Sequence, residues 1–222
     1  MGVKSPLSNP FPEIGIFGGT FNPIHFGHLR LAEETRELFN LKEIIFIPSC
    51  RPPLKKQDVI GVEDRFEMVR LAVADNPFFS VSDIECARQG PSYTVDTLKQ
   101  LKQSLGHDRF GFILGIDAFL ELPQWYKPDE IVGLTDLLLV NRPPHRMEEL
   151  YSSPFVEPHE EQLEGGLRRL RLKGGRFVYL LPIEGLNISA SDIRRRLKNH
   201  KSIKYLLPES VESYIISKGL YE

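Results

Sequence analysis

Two histidines three residues apart, His25 and His28, sit beyond a glycine pair in the stretch Gly18-Gly19-Thr20-Phe21-Asn22-Pro23-Ile24-His25-Phe26-Gly27-His28. The apolar run Ile14-Phe17 precedes it, so it reads as a buried strand, a glycine turn and a helix opening. Glycines without a Cβ let backbone N–H groups approach an anion, and the following helix points its positive dipole end at the same place. Both imidazoles can share one helix face and touch one phosphate group. Transfer at phosphorus asks the protein for alignment and for stabilisation of charge spread over phosphoryl oxygens, and a fixed imidazole N–H suits that work. A second cluster, Ile188-Ser189-Ala190-Ser191-Asp192-Ile193-Arg194, places Ser189 and Ser191 at the start of a helix, with Arg194 one turn in as a charged fork for phosphate oxygens.

Competing readings of these residues remain open. Each histidine could be an ordinary polar residue at a helix end, and the Ser/Arg string a plain N-cap. A zinc site at His25 and His28 needs a further ligand, which no intervening Glu and no cysteine motif supplies. A Walker-type loop requires Lys followed by Ser or Thr where the chain has His28-Leu29, and Gly18-Gly19-Thr20 lacks the G-x-G-x-x-G spacing of the dinucleotide fold. Metal is therefore assigned to no residue.

The elements that must position these groups are legible as apolar runs at Ile14-Phe17, Ile44-Ile47, Phe110-Leu114, Leu137-Val140 and Phe177-Leu181, read as strands buried on both faces. Helical periodicity marks about Gly27-Phe39, Val62-Asp75, Thr94-Ser104, Ala190-Lys198 and Glu209-Lys218. The alternation predicts an α/β fold: a Rossmann-like open parallel sheet with helices on both faces. Phe79-Ser82 is a candidate short strand. Ligands of such a sheet bind beyond the carboxyl ends of its strands, which gathers Gly18-Gly19, Pro48-Lys56, Gly115-Asp117 and Asn141-Arg142 into one crevice.

The chain has 222 residues, enough for one domain over 14–222, with residues 1–13 expected as a flexible leader and 143–175 as an irregular insertion. Within that insertion Leu163, Leu167 and Leu170 hint at a short amphipathic helix. No segment approaches the roughly 18 to 20 consecutive apolar residues of a membrane span, and the first residues lack a secretory pattern, so a cytoplasmic protein is expected. A formal net charge of -2 disfavours a polymeric nucleic-acid partner. Cys50 and Cys86 form neither a disulfide framework nor a zinc pattern. A homo-oligomer is compatible with the sequence, which marks no subunit interface.

Gly18 to Pro23 with His25-Phe26-Gly27-His28 resembles the H-x-G-H signature of the nucleotidylyltransferases, and Ile188 to Arg194 resembles their second signature. Pro91-Ser92-Tyr93-Thr94, Gly115-Ile116-Asp117, Trp125-Tyr126, Asn141-Arg142-Pro143 and the closing Leu206-Leu207-Pro208 to Gly219-Leu220-Tyr221 extend the likeness to the bacterial nicotinate-nucleotide adenylyltransferases. The resemblance implies adenylyl transfer from ATP to nicotinate mononucleotide, giving deamido-NAD and pyrophosphate, with Mg2+ carried mainly on the ATP phosphates. It implies that Gly18, Gly19, Thr20 and Phe21 line the nucleotide phosphates and that His25 and His28 contact them, His28 stabilising the pentavalent transition state. It gives Ser189, Ser191 and Arg194 the triphosphate, Lys55 a place beside it, Asp117 the ribose and Arg142 the ATP half of the cleft. Thr94, Trp125 and Tyr126 would form the nicotinate pocket.

The residues also allow blander roles: Trp125 as a core anchor, Asp117 as a helix cap, Arg142 as a solvated turn residue and Thr94 as a helix start. Two positions depart from the family, since many relatives have Asp at Asn22 and a histidine at Leu54. Nicotinamide mononucleotide or phosphopantetheine are alternative acceptors. A nucleotide sensor without turnover and a metal-dependent hydrolase are alternative classes.

Overall fold

The computed structural model describes residues 11–53, 59–141 and 147–222. Eight strands, β1 (Ile14–Gly19), β2 (Glu43–Pro48), β3 (Phe79–Val81), β4 (Phe110–Gly115), β5 (Asp136–Asn141), β6 (Val156–Gln162), β7 (Arg168–Leu172) and β8 (Phe177–Glu184), form one sheet in the order β3-β2-β1-β4-β5-β8-β7-β6. The pairs from β3 through β8 are parallel, whereas β6 and β7 continue the sheet antiparallel. Helices α1 (Phe26–Phe39), α2 (Val62–Val73), α3 (Thr94–Leu105), α4 (Ile116–Leu120), α5 (Pro128–Leu134), α6 (Ala190–Lys198) and α7 (Glu209–Lys218) cover both faces.

Each parallel strand sends alternate residues to opposite cores, which is why the strands read as unbroken apolar runs. Phe17, Ile113, Leu138 and Val140 join α1, α2, α6 and α7 in one core. Ile16, Phe112, Leu114, Leu137 and Leu139 join α3, α4 and α5 in the other. This is the expected Rossmann-like architecture. Its strand order reverses between β1 and β4, so the crevice outside their carboxyl ends lies beside the Gly18-Gly19 and Gly115-Asp117 segments.

Three local readings change. Gly18 and Gly19 are the last residues of β1, paired with Ile47 and Pro48, and the turn begins at Thr20. A Cβ at Gly19 would lie 3.0 Å from the Phe21 ring, so the aromatic closure of the turn is what the glycine accommodates. The leucines of the expected amphipathic helix instead belong to a hairpin: Leu170 and Leu172 alternate inward along β7 and are buried. Arg168 pairs with Glu160 and Arg169 with Glu161 across β6 and β7, which holds the hairpin's register. Helices α4 and α5 escaped the periodicity reading because each spans two turns or fewer.

At the opposite end of the sheet, Asp136 Oδ1 accepts the Phe177 N–H at 2.9 Å. Burial raises the Asp136 carboxyl above the usual carboxylate range, outweighing that bond and the nearby Arg176 and Arg169. The folded chain thus holds this proton more tightly than the unfolded one. The resulting stability is present below the unfolded value, about 4, and is lost as pH rises through the folded value. Asp136→Asn keeps the acceptor and removes the charge. Thermal melts from acid to neutral pH should show the variant melting a few degrees higher at pH 7 and level with the parent in acid.

Candidate functional site

The loop from Thr20 to His25 is anchored from several sides. Arg194 Nη1 donates to the Asn22 carbonyl at 2.8 Å, Tyr221 Oη donates to Asn22 Oδ1 at 2.9 Å, and Arg65 Nη1 donates to the Thr20 carbonyl at 2.8 Å. Asn22 is buried, and its amide oxygen performs the acceptor role that a carboxylate would perform at this position. Phe21 adopts a left-handed φ of 45°. Its ring is buried between Phe17 and His28 rather than open to a ligand.

His25 is the N-cap of α1 and is 3% exposed. Its ring stacks on that of His28 with centroids 3.8 Å apart. The His25 N–H donates to His28 Nδ1 at 3.3 Å. That bond makes Nδ1 of His28 the acceptor, so the neutral ring carries its proton on Nε2, the form in which it donates outward. Gly27 is required by the stack, because a Cβ there would lie 2.9 Å from His25 Nδ1 and 3.5 Å from the Ile188 carbonyl.

That last contact joins the two signatures. Ser189 caps α6, its Oγ accepting the Asp192 N–H at 3.2 Å and lying 3.2 Å from Ser191 Oγ. Ser189 and Ser191 open onto a surface recess of about 400 Å³ with Asn187, Asp192 and Arg195. Arg196 and Arg195 hold the Asp192 carboxyl below the usual carboxylate range. Arg194 turns the other way, into the loop before α1.

A larger cavity of about 870 Å³ opens along the crevice between β1 and β4. Gly18, Gly19, Thr20, Thr94, Asp117, Trp125 and Tyr126 line it. Asp117 stands in the first turn of α4 with Oδ1 in the space a Cβ of Gly115 would take, so only glycine lets that carboxylate fold back over the strand end. Trp125 packs against the core on one side and its Nε1–H is buried without an acceptor among the described residues. Tyr126 stacks on Tyr93 with centroids 4.3 Å apart. Thr94 opens α3.

Seven of the residues singled out from sequence therefore line one cavity. Phe21, His25, His28, Ser189, Ser191 and Arg194 stand off its walls; Phe21 and His28 adjoin it through the wall residue Phe17. Lys55 and Arg142 lie outside the described residues.

Sequence reasoning missed a buried polar group beneath the cavity. Thr97 Oγ1 donates to Glu85 Oε1 at 2.7 Å and receives Arg88 Nη2 at 3.0 Å. Ser92 closes a two-bond clasp with the Arg51 backbone. The sequence signal for the clasp is the Ser before Tyr93-Thr94; Glu85 and Thr97 carry no spacing that would mark them.

The donors around the β1–α1 turn and the start of α6 are N–H and O–H groups from His, Thr, Ser and Arg, a set whose chemistry suits anionic oxygens. Among the described residues no three His, Cys, Asp or Glu side chains gather as a metal site, and no helix is long and apolar enough to cross a membrane.

Comparison with known proteins bears on the family and the fold. Residues 16–196 match the cytidylyltransferase-like family. A probable nicotinate-nucleotide adenylyltransferase of Geotalea uraniireducens is 42% identical over 211 residues, 94% of this chain and 98% of the relative. One from Geobacter metallireducens is 43% identical over 209 residues, 93% of this chain and 97% of the relative. Among solved structures, Plasmodium falciparum nicotinic acid mononucleotide adenylyltransferase complexed with NaAD shares the fold with a TM-score of 0.72 at 20% identity, over 94% of this chain and 96% of that one. The same protein complexed with APC gives a TM-score of 0.70 at 19% identity, over 95% and 97%. On the family match and on relatives aligned over nearly their whole length, the chain belongs to the nicotinate-nucleotide adenylyltransferase family of cytidylyltransferase-like proteins, and it is a nucleotidyltransferase.

Proposed function

We propose that the chain transfers the adenylyl group of ATP to nicotinate mononucleotide in NAD biosynthesis, releasing deamido-NAD and pyrophosphate. The observation that carries this reading is the meeting of two signatures far apart in the chain. Arg194 is bonded to Asn22 at 2.8 Å, and the Ile188 carbonyl lies against Gly27 between the two histidines. The relatives' name supports the acceptor. So does the cavity, whose aromatic wall at Trp125 and Tyr126 offers a stacking face beside the N-terminus of α3, a place for a carboxylate.

In this reading an oxygen of the acceptor 5'-phosphate attacks the α-phosphorus of ATP in line. The bond from that phosphorus to the α,β-bridging oxygen breaks, and pyrophosphate leaves. His28, donating from Nε2, stabilises the charge of the pentavalent state, and His25 braces its ring from the other face. Gly18, Gly19 and Thr20 line the phosphates, with Phe21 closing the turn. Ser189 and Ser191 hold the triphosphate tail, Arg194, bonded to the Asn22 carbonyl, adds its charge from the histidine side, Lys55 and Arg142 add charge to the ATP half, and Asp117 takes the ribose. Thr94, Trp125 and Tyr126 take the nicotinate. The donor set fits phosphate oxygens, so Mg2+ would arrive on the nucleotide itself and neutralise its charge there. We place the reaction in the cytoplasm, for a monomer or a homo-oligomer alike.

The route at phosphorus has its own test. With ATP bearing a sulfur of one configuration on the α-phosphorus, deamido-NAD should form with inversion. Net retention would require a covalent adenylyl-enzyme and contradict direct attack.

A further inference from the structure

Among the described residues, one of the largest fully buried side chains is a cation. Arg65 of α2 is 1% exposed. Nη1 donates to the Thr20 carbonyl at 2.8 Å, Nε to the Ile60 carbonyl at 3.1 Å and Nη2 to the Cys50 carbonyl at 3.5 Å. No carboxylate among the described residues pairs with it. Burial lowers its pKa, as it does for a guanidinium that carbonyl dipoles solvate without neutralising. An apolar side chain of similar length would still seat α2 beside Met68, Val69 and Val73 without this desolvation cost, but it would leave three carbonyls without this donor. Packing of α2 does not call for the charge; the three carbonyls do.

Its three acceptors have a common meaning. Thr20 is the first residue past β1, Cys50 is the second past β2, and Ile60, whose own N–H reaches Asn22 Oδ1 at 3.4 Å, leads into α2. One planar fork thus fixes the strand ends that frame the cavity wall at Gly19, Thr20 and Ser49. Ser49 N–H closes the same wall by donating to the Gly19 carbonyl at 2.8 Å.

We infer that Arg65 is a positioning residue for ATP: it fixes the Gly19-Thr20 turn against the end of β2 and places an unneutralised positive charge behind that turn, where the nucleotide phosphates would lie. The inference rests on the proposed function for its ligand. A buried charge is little screened by salt or water, so it acts on bound phosphate from behind the wall it holds.

The test uses the full chain with Arg65→Met and Arg65→Lys, measuring the melting midpoint, ATP affinity by calorimetry without acceptor, and kcat with KM for each substrate. Arg65→Met should stay folded, bind ATP about tenfold more weakly and lose about tenfold or more in kcat, while KM for nicotinate mononucleotide moves by less than about twofold. Arg65→Lys keeps the charge and loses the fork, and should fall between. A folded Arg65→Met with wild-type ATP affinity and kcat overturns the proposal, as does a loss confined to apparent kcat and calorimetric stoichiometry in proportion to the folded fraction. If only Arg65→Lys folds, weakened ATP binding supports the proposal and unchanged binding overturns it. Loss of fold in both makes Arg65 merely structural and overturns it too. Failure of the wild-type chain to use nicotinate mononucleotide would count against the functional reading alone, since ATP affinity is measured without acceptor.

Discussion

His28→Ala should fold like the parent and lose about a hundredfold or more in turnover, the cost of removing one preorganised donor from a developing charge, or about 2.7 kcal/mol in the barrier. The fold survives because the ring is not part of a core layer: His28 touches Phe17 and Phe21 edge-on at centroid distances of 6.0 and 5.2 Å, and those two rings also pack on Phe46. What disappears is the ring whose protonated nitrogen is set by the bond from the His25 N–H to Nδ1. Because that contribution belongs to the transition state, kcat should fall with little change in KM for ATP. Steady-state kinetics beside a melting curve checks both halves. Full turnover in a folded His28→Ala would remove the histidine from the chemistry.

Gly27→Ala should be nearly as damaging, although methyl is the smallest addition that can be made. The new Cβ would stand 2.9 Å from His25 Nδ1, closer than real contacts allow. His25 is 3% exposed and stacked on His28, so its ring has little room to retreat. The Ile188 carbonyl, 3.5 Å away on the other side, blocks the backbone from giving instead. The stack must open. Misplacing the two rings by a fraction of an ångström to an ångström should lower kcat by about ten- to a hundredfold. Alanine is the better helix former, but that gain does not cover a clash with a buried ring, so the melting midpoint should fall modestly while activity falls far more. A fall in stability with activity intact would reverse the assignment of this glycine.

The sequence is most transparent where one physical rule acts alone. Leu137-Val140 had to be a strand buried on both faces, and its alternate residues do enter both cores. The H-x-G-H and Ser/Arg stretches were separately ambiguous with helix caps. Ser189 does cap α6, and what the structure adds is the contact of that segment with the loop before α1. The β6–β7 hairpin was hidden because Leu163, Leu167 and Leu170 fit a helical spacing, while the decisive alternation, Leu170 to Leu172, spans only three residues and depends on β8 for its meaning. Arg65 was hidden for a different reason. In sequence it is one more charge in an ordinary amphipathic helix, and only the fold reveals that it faces three carbonyls instead of water.

The acceptor side of the site depends on Trp125, Tyr126 and the start of α3 facing one cavity with Gly18 to Thr20. In the proposed reading this arrangement would bring a ring-bearing mononucleotide to the Gly18 to Thr20 turn. Pyrophosphate release from ATP, followed with nicotinate mononucleotide, with nicotinamide mononucleotide, with phosphopantetheine and with no acceptor, is the most direct measurement. Nicotinate mononucleotide should give the fastest release, matched mole for mole by deamido-NAD, and the reaction without acceptor should be silent. ATP consumption that proceeds equally well with no acceptor, or no product from nicotinate mononucleotide, would contradict the account.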